Sequence, residues 1–118
     1  MEPKEYQLRA LDRVKAYLQL LYEWKGKSEQ IVAEHGPELA IDFPAKAWAK
    51  MEGLYSAYHS RRDGLGRPLP CFCLKIPTGG GKTFLAVKTI DLVNTAYLKK
   101  RTGLVLWVVP TTQIYRQT

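Results

Sequence analysis

Along residues 6–24, Leu11, Val14, Leu18 and Leu21 recur at spacings of three and four, while Arg9, Arg13, Gln19 and Glu23 turn elsewhere. That period predicts an amphipathic helix. After Gly26, Ser28 is placed to cap a second, short helix through Ile31 and Val32. It should stop at His35-Gly36-Pro37, since glycine accepts a left-handed cap and proline cannot continue the ladder. Pro44 suits the first turn of another helix carrying Trp48 and Met51 on one side. Between residues 53 and 70 the pattern dissolves into Arg61-Arg62-Asp63-Gly64 and Gly66-Arg67-Pro68-Leu69-Pro70, which predicts a loop.

The second half follows a different pattern. Residues 71–76, Cys-Phe-Cys-Leu-Lys-Ile, form a short apolar run ended by Pro77 and predict a buried strand. A glycine-rich loop follows, and then Ala86, Ile90, Val93 and Tyr97 recur at four, three and four. Lys99-Lys100-Arg101 falls where cations favour a helix C-terminus before Gly103. Residues 104–109 are a second continuous apolar run. Strand, loop, helix and strand predict a βαβ unit of a parallel sheet. The expected fold class is therefore α/β: N-terminal helices and loop over residues 1–70, and a partial P-loop, RecA-like unit over residues 71–118.

The chemistry sits at the strand-to-helix junction, in Pro77-Thr78-Gly79-Gly80-Gly81-Lys82-Thr83. Glycines let backbone N–H groups converge on phosphates, the helix N-terminus adds its dipole, and a lysine supplies a point charge to the β and γ phosphates. Thr78, Gly79, Gly80, Gly81, Lys82 and Thr83 are thus the candidate nucleotide-binding residues. Lys82 is the candidate catalytic cation and the Thr83 hydroxyl the candidate Mg²⁺ ligand, with ATP and Mg²⁺ as the cofactors. The strict phosphate-loop pattern asks for glycine five residues before Gly81, where Ile76 stands.

With these residues in view, the chain resembles the superfamily 2 helicases, and within them the helicase subunit of type III restriction enzymes and related DEAD/DEAH-box-like proteins. Residues 66–70, the strand, and residues 75–83 look like that family's motif I with its lead-in. Val109-Pro110-Thr111-Thr112-Gln113 resembles motif Ia, which implies a nucleic-acid backbone contact at Pro110, Thr111, Thr112 and Gln113. Tyr6-Gln7 and the helix after it resemble the family's opening segment, which implies that Gln7 reads the adenine edge; Gln7 stands 75 positions before Lys82 (82 − 7). The implied partners are ATP, DNA with RNA left open, and a modification or specificity subunit. The resemblance also implies that the motif I and motif Ia strands are separated in the sheet by strands from later in such chains, which leaves both runs with unpaired, apolar edges here.

Hydrolysis in this class needs a carboxylate pair to hold Mg²⁺ and orient water, and arginines to meet the γ-phosphate charge. After Asp63 the only acidic residue is Asp91, inside the helix that follows the loop. The expectation is an N-terminal piece of a longer ATP-dependent helicase or translocase, inactive by itself. The competing reading is a stand-alone nucleotide-binding or interaction module without hydrolysis, or a decayed remnant.

Composition adds bounds. The 118 residues are 46% hydrophobic and 25% charged, enough for one small domain. A net charge of +7 leans towards anionic partners. With no apolar run of about 18 residues and a polar Met1-Glu2-Pro3-Lys4-Glu5 start, a cytoplasmic location without membrane contact is expected. Cys71 and Cys73 are expected as buried thiols, Trp24, Trp48 and Trp107 as core bulk, and His35 and His59 as surface residues. Arg61-Arg62 and Lys99-Lys100-Arg101 are read as solvated turn and helix-end charges.

Overall fold

The computed structural model describes residues 4–54, 56–76 and 81–108. Helix α1 spans Glu5–His35, and a 3₁₀ turn at Pro37–Leu39 leads into α2, Phe43–Lys50. A hairpin of β1 (Arg61–Arg62) and β2 (Pro68–Leu69) follows, then α3, Lys82–Leu92, which continues as a π-helical segment over Val93–Leu98.

The predicted break near Gly26 does not occur: α1 is one helix of 31 residues. Ser28 serves tertiary structure instead of capping a new helix. Its buried hydroxyl accepts the Ile41 N–H at 3.0 Å, clamping the returning chain onto α1. Termination at His35 follows the expected chemistry. Gly36 takes φ +98°, its N–H bonds the Val32 carbonyl at 2.9 Å, and Pro37 then begins the 3₁₀ turn.

Val14, Tyr17, Leu18 and Leu21 form the buried stripe of α1, joined by Phe43 and Ala47 of α2 and by Ala96 from the π-helical segment. Burial of each large apolar side chain contributes about 1.5–3 kcal/mol. Tyr17 organises one end. Its hydroxyl donates to the Pro44 carbonyl at 3.1 Å, and its ring meets Trp48 and Phe72 edge-on at 5.5 and 5.7 Å. Burial, with Tyr58 close by, pushes the Tyr17 phenol well above its usual range, so it stays a neutral donor. Trp24 and Trp48 pack on this core as expected.

The second half departs from expectation at both apolar runs. Neither residues 71–76 nor residues 104–108 join a sheet, and the described residues form no parallel pairing. Their one sheet is the antiparallel β1–β2 pair, Arg61 opposite Leu69 and Arg62 opposite Pro68. Cys71 and Cys73 are exposed, contrary to the buried-thiol expectation. Phe72 packs on Tyr17, and with no neighbouring strand to cover the run, Cys71 and Cys73 on either side of it stay at the surface. Trp107 is likewise exposed instead of buried. The loop expected over residues 53–70 contains the small hairpin, because the Asp63 carboxylate supplies turn hydrogen bonds that hydrophobic patterning does not encode.

Leu104, Leu106 and Val108 are strongly exposed, alternating with the half-covered Val105 and Trp107. An uncharged, unpaired apolar segment of this kind invites edge association. Sedimentation velocity at micromolar concentration should show self-association that Leu104→Lys with Leu106→Lys removes. A wild-type chain that stays monomeric would contradict this.

Candidate nucleotide-binding site

The glycine loop meets its helix at Gly81. Gly81 is the N-cap of α3 at φ +79°, ψ +45°, a left-handed conformation that glycine adopts without the Cβ penalty. Its carbonyl accepts the Leu85 N–H at 2.9 Å, closing the first helical turn. Leu85 is buried and anchors that turn, while Lys82 and Thr83 are exposed beside it. The first turn of α3 contains no acidic side chain, so the positive end of the helix is not neutralised locally.

The structure brings Gln7 to the same place. Gln7 lies on α1 with 1% of its surface exposed. Its Oε1 accepts the Lys4 N–H at 2.8 Å, which ties the amide to the start of the helix. Its Nε2 faces Gly81 so closely that a Cβ built there would collide with it. Two residues 74 positions apart (81 − 7) are thus in contact, and the glycine is required both by backbone angle and by space. This second reason leaves no trace in the local sequence.

Thr78, Gly79 and Gly80, with Pro77 before them, lie outside the described residues, as do Pro110, Thr111, Thr112 and Gln113. The described part of the site is therefore Gln7, Gly81, Lys82 and Thr83. It fits an anion at a helix N-terminus. The Thr83 hydroxyl is a suitable oxygen ligand for Mg²⁺, and a phosphate-bound Mg²⁺ takes its remaining ligands from phosphate and water. No group of three or more His, Cys, Asp or Glu able to hold a metal alone exists among the described residues. Asp91 lies near the far end of α3, away from the loop, as its sequence position implied.

An apolar cavity of about 340 Å³ lies between α1, α2 and residues 72–76. Its lining includes Arg13 and Lys75 but no carboxylate, so it offers no acid–base pair. No helix among the described residues is long and apolar enough to cross a membrane.

A protein-family model described as "Type III restriction enzyme, res subunit" matches residues 1–118, the whole chain. No curated protein and no solved structure matches it.

Proposed function

Because the chain belongs to the type III restriction enzyme res subunit family, a helicase superfamily 2 group with a P-loop helicase-type domain, we propose that it supplies the ATP phosphate-binding site of a DNA-directed helicase or translocase. Family membership brings ATP, Mg²⁺ and DNA in general. The finer assignment rests on one observation: left-handed Gly81, packed against Gln7, opens α3 and sets Lys82 and Thr83 at its exposed first turn.

In this reading the α3 amides and dipole receive the phosphates, Lys82 neutralises the β and γ oxygens, and Thr83 holds Mg²⁺. Thr78, Gly79 and Gly80 complete the cradle. Gln7 buttresses Gly81, and the adenine edge is assigned to this end of α1. Residues 1–70 act as the helical support and residues 71–118 as the phosphate-binding unit. Pro110, Thr111, Thr112 and Gln113 contact the nucleic-acid backbone, and a modification subunit selects the target. Asp91, the only acidic residue after Asp63, lies in α3 and offers no carboxylate pair, so these residues bind nucleotide without turning it over.

Calorimetric titration tests the assignment. ATP with Mg²⁺ should bind far more tightly than adenosine, with phosphate release at the background rate. Equal affinity for the two would remove the phosphate site, and turnover abolished by Lys82→Ala would overturn the statement that these residues only bind.

A further inference from the structure

We propose that the β1–β2 hairpin is a nucleic-acid contact, with Arg61, Arg62 and Arg67 on backbone phosphates and Leu65 against a base. The proposal rests on the nucleic-acid half of the reading above, but it places a contact at a surface that the helicase motifs do not include.

The hairpin is built to hold its shape without a core. Asp63 Oδ1 accepts the Leu65 and Arg67 N–H groups, both at 2.9 Å, and Oδ2 accepts Arg67 Nε at 2.7 Å. Those bonds hold the Asp63 carboxyl below the usual carboxylate range, so it remains charged at neutral pH. Asp63 N–H donates to the Arg67 carbonyl, and Gly66 N–H returns to the Asp63 carbonyl. Gly66 takes φ +77°, and Arg62 Nη1 donates to its carbonyl at 2.9 Å. At the base, Tyr58 donates to the Leu69 carbonyl at 3.0 Å and accepts the Cys71 N–H.

Few of the donors are used up by this scaffold. A guanidinium carries five N–H donors. Arg62 gives one to Gly66, Arg67 gives its Nε to Asp63, and the Arg61 guanidinium has no bonded partner among the described residues. Three guanidinium groups stand against one carboxylate within seven residues, and all three arginines are exposed. The Asp42 carboxylate near the base accepts the Ser60 hydroxyl, and Glu29 and Glu38, which line the cavity that Arg62 and Arg67 border, make no ion pair with the hairpin arginines among the described residues. Guanidinium groups pair with phosphate bidentately, and anchoring two of them beforehand lowers the ordering cost of binding.

The tip adds a second signature. Leu65 is 78% exposed between two glycines, held out by the same Asp63 bonds instead of folding back. A purely electrostatic surface for an acidic protein does not need an apolar tip. A base offers an apolar face directly beside the phosphates.

The test is fluorescence anisotropy of the whole chain with a labelled single-stranded oligonucleotide across a salt series. Arg61→Glu should weaken binding about tenfold and reduce the salt slope by about one to two. Lys15→Glu, on the exposed side of α1, makes the same change in net charge and should weaken binding less than twofold. Leu65→Ala should weaken binding about threefold with the slope unchanged, because it removes no charge. Circular dichroism checks that each variant keeps its helices. Equal losses in Arg61→Glu and Lys15→Glu, or an unchanged Arg61→Glu, overturn the hairpin contact while leaving nucleic-acid binding in place. Failure of the wild-type chain to bind overturns both. Binding to polyglutamate as tight as to the oligonucleotide would assign the hairpin to an acidic protein and overturn the proposal.

Discussion

Replacing Lys82 with alanine should lower the affinity for ATP with Mg²⁺ by about a hundredfold, equivalent to ~2.8 kcal/mol. The size follows from what the side chain does. An ammonium held beside phosphate oxygens makes charge-assisted hydrogen bonds, each worth about 1.5–3 kcal/mol. Lys82 is exposed on the first turn of α3 and takes part in no ion pair with the described residues, so its removal takes nothing from the folded state. The unfolding midpoint should stay where it is while the calorimetric affinity falls. Affinity and midpoint falling together would mean that Lys82 supports the fold instead.

Gly81→Ala should act through the fold. A left-handed backbone costs an L-residue about 1–2 kcal/mol. The new methyl group would also strike Gln7 Nε2, and Gln7 is buried and tied to the Lys4 N–H, so it has little room to yield. Together these should destabilise the chain by about 2–4 kcal/mol and abolish nucleotide binding. Gly26→Ala is the contrasting case. Gly26 sits mid-helix in α1 with open space where a Cβ would go, so alanine there should stabilise by about 0.5–1 kcal/mol. Urea unfolding of both variants measures the pair. A Gly81→Ala protein as stable as wild type would mean that the left-handed cap and the Gln7 contact do not constrain the loop.

What the chain shows before it folds divides along physical lines. The stripe of Val14, Leu18 and Leu21 was legible because helical burial leaves a period in the chain, and the end of α1 was legible because Gly36-Pro37 has local steric meaning. Ser28 misled because a cap and a tertiary clamp use the same hydroxyl, and only the folded position of Ile41 tells them apart. Asp63 misled in the same way: the turn chemistry was visible, but not the short ladder it permits. The apolar runs at residues 71–76 and 104–108 carry the composition of strands, and pairing is a non-local property that composition cannot supply. At the site, the glycine-lysine-threonine run is legible as a candidate phosphate loop by residue type alone, while the placing of Gln7 against Gly81 required three dimensions.

ATP should bind by its phosphates at the N-terminus of α3, beside Gln7. Nuclear magnetic resonance of isotopically labelled chain, titrated with ATP and Mg²⁺, tests this most directly. The largest shifts should fall at the backbone amides of Gly81, Lys82 and Thr83, accompanied by the side-chain amide of Gln7, with adenosine alone leaving the three backbone amides in place. Saturating ATP that moves none of these resonances, or moves others while they stay fixed, would contradict it.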